Sequence, residues 1–194
     1  LLSQSRTLFL DNTMNPLPLG QWDSLGLGHQ SYKLAFTLGV TAAHYAGKIN
    51  DAEFTAAGYV HFAGDANWWV PSGTAVYSAN PRDTFYLPIG AKNPFGLETI
   101  ATFDQHILLT EKVEVKQAAW NVVTAVNDYR VLGPVLMTDP NGNRSAVEHD
   151  ELGMVVKTAV MGKAGSPDGD TLADPTTRLE YELFNWMNNR KPNF

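Results

Sequence analysis

The chain contains no cysteine. That absence excludes disulfides, thiolate metal sites and cysteine nucleophiles, and leaves the redox compartment unreadable. Charge is sparse as well: charged residues make up 18% of the sequence, and the formal net charge is -6. No Lys/Arg run offsets the acidic balance, so a phosphate backbone is not an expected partner and nucleic-acid binding is excluded. No stretch approaches the roughly 18 continuous apolar residues of a membrane-spanning helix. Leu1–Arg6 lacks the basic-then-apolar order of a signal peptide. The HxH and HExxH arrangements, the Gly-x-Ser-x-Gly elbow, the Walker loop and the Rossmann glycine pattern are all missing. No catalytic residue, no metal and no cofactor are therefore expected.

What is present is ordinary globular material. With 194 residues and 44% apolar content, the chain is long enough to bury a core without covalent staples. Its 16 Gly and 11 Pro favour many short elements over long helices. The sequence begins at Leu1 rather than Met, and it closes at Lys191–Phe194 directly behind an apolar-rich segment. Both features read as an excerpt of a longer polypeptide.

Along the chain, residues 1–57 read as an irregular or mixed lead-in and residues 58–194 as β-rich. Asn15-Pro16, Pro18-Leu19-Gly20 and Gly26-Leu27-Gly28 break up residues 1–30, which are expected to be extended and irregular. Tyr32, Leu34 and Phe36 alternate with polar or small residues, as in a strand with one buried face. A helix over part of Val40–Ala46 competes with that reading. Asn50-Asp51 can cap a short helix through Ala57, with Gly58 as its stop. Strands are then expected at Gly58–Phe62, Trp68–Val70 (ended by Pro71), Thr74–Tyr77 and Thr84–Leu87.

A repeat lies between residues 93 and 157. Asn93-Pro94-Phe95-Gly96 leads to Phe103-Asp104, and Asp139-Pro140-Asn141-Gly142 leads to His149-Asp150. Gly96 to Asp104 and Gly142 to Asp150 are both eight residues, as is Trp120 to Asp128. The aspartates Asp104, Asp128 and Asp150 follow one another at 24 and 22 residues. A near-constant period of this size marks stacked supersecondary units. Each unit reads as a tight Asx-Pro-x-Gly turn, where Pro presets φ and Gly takes the left-handed position, followed by an alternating strand. A carboxylate then starts the next turn by accepting backbone N–H groups. One hairpin cannot bury its own face, so the units must join into a sheet. Thr177–Leu183 is expected to be a further degenerate strand, with a helix through Glu180–Asn189 as the alternative; Gly162–Asp170 reads as a mobile polar loop.

The unit Gly142 to Gly153, Gly-Asn-Arg-Ser-x-x-x-x-Asp-x-Leu-Gly, resembles the YD repeat of RHS proteins. Longer passages are more specific. Gly64–Gly73, Asn127–Leu132, Leu152–Gly162, Pro16–Gln21 and Arg178–Phe184 resemble the B component of insecticidal Tc toxin complexes, or a fused B–C relative. The resemblance covers nearly the whole chain. His149 departs from it in place of an aromatic residue, Trp120 in place of a turn glycine, and Glu182 in place of Asp. It implies a mainly β fold, a YD-repeat antiparallel sheet with one or two short helices. It also implies a non-catalytic role as a wall segment of a shell that encapsulates an effector polypeptide in a secreted or cell-surface insecticidal toxin. The implied partners are the remainder of the shell, the enclosed effector and a pore-forming A component. The residues carrying the repeat are Gly96, Phe103, Asp104, Asp128, Gly142, His149, Asp150 and Gly153.

Other groupings have plainer readings. The five histidines, His29, His44, His61, His106 and His149, have no ligand spacing. Asp139-x-Asn141-x-Asn143 starts like a calcium loop but lacks its sixth-position Gly and distal Glu. Asp168-Gly169-Asp170 with Asp174 reads as a solvated acidic loop. Trp68 and Trp69, with Tyr59, Tyr77, Phe85 and Tyr86 nearby, form a possible aromatic surface for sugars. An extracellular carbohydrate-binding module is therefore the alternative function. A glycosidase would need two close carboxylates in a cleft.

Overall fold

The computed structural model describes residues 3–188, the side chains of residues 119, 120 and 188 excepted. The fold is mainly antiparallel β with two short α-helices. The chain forms two compact units, Leu1–Ile100 and Ala101–Phe194.

In the first unit, β1 (Ser5–Leu10), β2 (Leu27–Phe36), β3 (Trp68–Val76), β4 (Gly90–Lys92) and the start of β5 (Glu98–Phe103) pair antiparallel in chain order. Residues 1–30 thus hold a strand and the start of another, where an irregular lead-in is expected from sequence. Helices α1 (Leu38–His44) and α2 (Asp51–Ala56) follow β2. The Thr37 hydroxyl caps α1 by accepting the Val40 N–H at 3.3 Å. A full capping box starts α2: the Asn50 side chain accepts from the Glu53 N–H at 3.1 Å, and the Glu53 carboxylate accepts from the Asn50 N–H at 2.8 Å. Gly58, at φ +89°, lies just beyond its end.

Three local expectations fail here. Of Gly58–Phe62, only Val60 bridges to Trp69. The Trp68 strand does not end at Pro71 but runs to Val76, because a bulge lies beside the proline. Tyr32 pairs with Pro71 and Gln30 with Thr74, and Ser72 patches the gap by taking the Ser31 N–H on its hydroxyl at 3.1 Å. Thr84–Leu87 is not a strand: a 3₁₀ turn over Pro81–Thr84 runs into the left-handed residues Phe85 (φ +51°) and Tyr86 (φ +57°).

In the second unit, β6 (Thr110–Val115), β7 (Ala118–Asp128), β8 (Gly133–Thr138), β9 (Asn143–His149), β10 (Val155–Lys163) and β11 (Thr177–Arg178) again pair each with the next. Trp120, expected in a turn, falls inside β7, and its side chain lies outside the described residues. The tight turn there is Lys116-Gln117. The strand expected over Thr177–Leu183 shrinks to β11. The helix alternative through Asn189 runs past the described residues, and a 3₁₀ turn over Asn185–Asn188 stands at that place. The Gly162–Asp170 segment is tied to β10 by hydrogen bonds from the Gly162 N–H to the Asp168 carbonyl (2.9 Å) and from the Asp170 N–H to the Val160 carbonyl (2.8 Å).

Burial is modest. The solvent-accessible surface is 13057 Å², whereas two compact globules of half this mass would together expose about 11,000 Å². Sheet positions that no described residue covers contribute to the surplus. In the second unit, Ala125, Met137, Ser145 and Val160 form a row across β7–β10 on one face, and Thr124, Thr138, Arg144 and Met161 a row on the other. Ser145 and Val160 are exposed on the first face and Thr124 on the second.

Candidate functional site

Two constructions stand out: a repeated hairpin turn and an aromatic clamp. The turn begins with an Asx residue whose side-chain oxygen takes backbone N–H groups that the tight bend leaves without partners. Asp11 accepts from Thr13 (2.8 Å) and Asn15 (2.9 Å), and Asn93 from Phe95 (3.0 Å) and Leu97 (2.9 Å). Asp139 accepts from Asn141 and Asn143 (both 2.8 Å), and Asp150 from Leu152 (2.9 Å) and Met154 (2.8 Å). Asp104 does the same for Leu108 (2.8 Å) and Leu109 (3.3 Å), and Asp128 for Arg130 (2.8 Å).

The fourth residue is left-handed in most of these turns: Met14, Gly96, Ile107, Gly142 and Gly153 all have φ between +56° and +88°. In the Asp128 turn the fifth residue, Leu132, takes that role at φ +53°. A turn of this kind, closed by a left-handed residue, joins two right-twisted strands without splaying them.

The first residues of successive turns reveal the true spacing. Asn93 to Asp104, Asp128 to Asp139 and Asp139 to Asp150 are each 11 residues, one strand plus one turn. The 22–24-residue repeat in the sequence is therefore a two-strand period that samples one end of the sheet.

At that end, in the second unit, the turns bond to one another. The Tyr129 hydroxyl donates to the Asp104 carboxylate, and the Arg130 guanidinium donates to the Asp150 carbonyl while lying 3.6 Å from the Asp128 carboxylate. Gly153 faces Val131, and a Cβ there would sit 3.3 Å from its Cγ1. The Tyr129 bond, aided by the N–H groups of Leu108, Leu109 and His106, holds the Asp104 carboxyl below the usual carboxylate range. The same bond raises the Tyr129 phenol. The proton therefore stays on the tyrosine, and the pair is a structural tie rather than an acid–base couple.

The clamp belongs to the first unit. Leu34 pairs with Trp69 but Phe36 with Trp68, because a bulge in β2 shifts the register between them. The two tryptophans, adjacent on β3, face opposite sides of the sheet, and each meets its own lid. Trp68 stacks on Phe54 of α2 at 5.0 Å and meets His61 at 3.6 Å. Trp69 lies under Arg6, whose guanidinium carbon is 4.0 Å from the Trp69 ring and 4.9 Å from the Phe62 ring. Asp65 completes the clamp, 2.6 Å from the Arg6 guanidinium and accepting the Trp69 indole N–H at 3.0 Å. The Asn67 N–H, followed by Trp69 and Arg6, holds the Asp65 carboxyl low.

The remaining sequence candidates are placed as follows. Trp68 is 3% exposed and Trp69 0%, so the two tryptophans do not form the expected surface: both rings are core, with Phe54 and His61 against one and Arg6 and Phe62 against the other. Phe103 ends β5 and His149 ends β9, with the His149 Nδ1 buried and without a hydrogen bond among the described residues. The Asp139 carboxylate spends its oxygens on Asn141, Asn143 and its own turn. Asp168 takes the Ser166 hydroxyl at 2.5 Å, and Asp170 takes that of Thr176. Among the described residues no three His, Asp or Glu side chains converge as a metal site. No described helix is long and apolar enough to cross a membrane. The clamp escaped the sequence reading, since Arg6 lies far along the chain from Asp65 and Trp69; the Asx–left-handed spacing of 11 was the signal available for the second row of turns.

No protein-family model and no curated protein sequence matches the chain. Solved structures do. The crystal structure of TcdB2–TccC3–Cdc42 aligns over 98% of this chain with TM-score 0.69 and 20% identity, and that of TcdB2–TccC3–TEV over 96% with TM-score 0.69 and 20% identity. The Tc holotoxin pore of Photorhabdus luminescens, carrying a TccC3 mutation, aligns over 83% with TM-score 0.65 and 22% identity. The chain spans 8–9% of the length of the chains it matches. In fold, the chain resembles one stretch of the B and C components of Tc toxins, the likeness that its sequence motifs led us to expect.

Proposed function

We propose that this chain is a non-catalytic wall segment of an RHS-type shell that encapsulates an effector polypeptide in a secreted insecticidal toxin. The observation that carries the reading is the second unit. Its sheet is locked turn to turn along one end while positions on both faces, Ser145 and Val160 on one and Thr124 on the other, stay exposed to solvent. A globular enzyme or binding module of this size covers at least one face of such a sheet with its own residues. A wall needs the opposite: rigidity in the plane, and faces free to look inward and outward. The fold likeness to Tc-toxin chains about eleven times longer supports the same reading. On it, the partners are the rest of the shell, the enclosed effector and a pore-forming component.

The mass of the native protein carrying this chain tests the reading. A mass many times 21.3 kDa supports a wall segment, and a mass near 21.3 kDa removes it. The carbohydrate-binding alternative loses its basis, because the two tryptophans that would form its platform are buried.

A further inference from the structure

The turn that joins β8 to β9 differs in one respect from the others of its kind. Its third residue is Asn141 and its fourth Gly142, the only Asn-Gly pair in the sequence. The third residues of the Asp11, Asn93, Asp104 and Asp150 turns are Thr13, Phe95, His106 and Leu152. Asparagine is chemically labile because the backbone nitrogen of the next residue can attack its amide carbon. Glycine offers that nitrogen best: it has no Cβ to crowd the approach, and its backbone is the freest to turn.

Asn141 is exposed, and among the described residues no hydrogen bond holds its side-chain amide. Other turn asparagines are held. Asn143 donates to the Asp139 carboxylate at 3.1 Å, Asn15 to the Thr13 hydroxyl at 2.8 Å and Asn12 to the Ser24 hydroxyl at 2.9 Å. Asn80 is exposed too, but Pro81 follows it and has no N–H with which to attack. One bond opposes reaction at Asn141: the Gly142 N–H donates to the Asp139 carbonyl at 2.9 Å. That bond closes a surface turn, where local opening costs far less than unfolding a strand.

We propose that Asn141 is a site of spontaneous deamidation in the folded protein, with water as the co-reactant. The Gly142 nitrogen bonds to the Asn141 Cγ and the Cγ–N bond of the amide breaks. Ammonia leaves with the proton that the Gly142 nitrogen gives up. Water then opens the five-membered imide at one of its two carbonyls, leaving aspartate or isoaspartate at position 141. The imide has no Gly142 N–H, so the bond to the Asp139 carbonyl is lost. Isoaspartate adds a main-chain carbon inside the turn, and either product brings a second carboxylate close to Asp139, which already holds the Asn141 and Asn143 N–H groups. Each change loosens the β8–β9 turn. The inference does not depend on the wall reading, since it rests on this turn alone.

The test uses the full-length protein that carries the chain, kept folded at neutral and at mildly alkaline pH and sampled over weeks. Peptide mass mapping reads the amide-to-acid conversion at each asparagine, and fragmentation separates isoaspartate from aspartate. We expect Asn141 to convert ahead of Asn12, Asn15 and Asn143, and faster at the alkaline pH, because the attacking nitrogen must lose its proton. Hydrogen-exchange protection at the ends of β8 and β9 beside the turn should fall as conversion proceeds. Gly142→Asn keeps a residue that tolerates φ +84°, and its Cβ would meet the Lys163 Cγ at an ordinary 3.7 Å. That variant should fold, and conversion at Asn141 should slow severalfold. An intact Asn141 while Asn12, Asn15 or Asn143 converts would overturn the proposal. So would an unchanged rate in Gly142→Asn, or conversion at Asn141 only after the protein is unfolded.

Discussion

In the first unit the residues removed from water are large: Trp69, Trp68, Phe54, Leu10 and Leu27. In the second, the buried apolar residues among those described are two alanines, Ala146 and Ala159. Both units are antiparallel sheets paired in chain order, yet one holds its strands with lids and aromatic burial and the other with bonds between turns. The first behaves as a small core that happens to sit on a sheet. The second spends its side-chain chemistry along one end of the strands and leaves the faces available. Where a sheet must present both faces, the end of the sheet is the place left to anchor it.

The largest test of this contrast is Trp69→Ala. It should cost about 3–5 kcal/mol, as truncation of a fully buried tryptophan does, and should strip hydrogen-exchange protection from β1–β3 while β7–β10 keep theirs. Equal loss in both units would mean that they share one core and break the comparison. Gly90→Ala comes next. Its Cβ would lie 2.2 Å from the Thr99 carbonyl oxygen, a backbone clash of the overpacking kind that costs about 1–3 kcal/mol, readable as a lower denaturation midpoint of the first unit.

In the second unit the sensitive positions should be the turns. Gly153→Ala, at φ +82° and against Val131, should cost about 1 kcal/mol. Leu132→Gly should instead stabilise by up to about 1 kcal/mol, because it relieves a left-handed leucine. A destabilising Leu132→Gly would show that the leucine packs where we see it exposed.

The smallest effect is on acid stability. Backbone and side-chain hydrogen bonds lower the carboxyl of Asp11 to about 2, with the Asn15 N–H as the largest contribution. Asp65 and Asp104 are also held low, chiefly by the Asn67 N–H and the Tyr129 hydroxyl. A folded value below the unfolded one means that the stabilisation is fully present above about pH 4 and is lost as pH falls through the folded values. Melting scans from neutral pH to pH 2 should be flat at first and then fall. Asp104→Asn should remove part of the fall in the second unit only.

Much of the fold was legible in the sequence where local chemistry decides it. The Asn50 helix cap, the Asn93 and Asp139 turns and the strand over Tyr32–Phe36 all reappear as structure, although a bulge between Leu34 and Phe36 breaks the expected single buried face. Strands β6 and β8 were not legible, because the turns beside them carry Ile107 and Leu132 at the left-handed position, so no glycine marks them. Pro71 misled for a related reason: a bulge and the Ser72 hydroxyl absorb a residue that otherwise ends a strand. The tryptophan pair could not be placed from sequence at all. Adjacent residues on a strand face opposite ways, but only the tertiary fold supplies a lid for each side, from Phe54 and from Arg6.

The wall reading makes its most direct demand on the two faces of the second sheet. Because this chain has no cysteine, Ser145→Cys on one face and Thr124→Cys on the other are the two thiols within it, both at positions exposed in this chain, and peptide mapping separates them from any cysteine elsewhere in the protein. The measurement is the labelling of each, in the full-length native protein, by a bulky polyethylene-glycol maleimide, with positions read by peptide mass mapping. A wall predicts that one position is modified and the other protected until the protein is unfolded. Rapid and equal modification of both by the bulky reagent would contradict it.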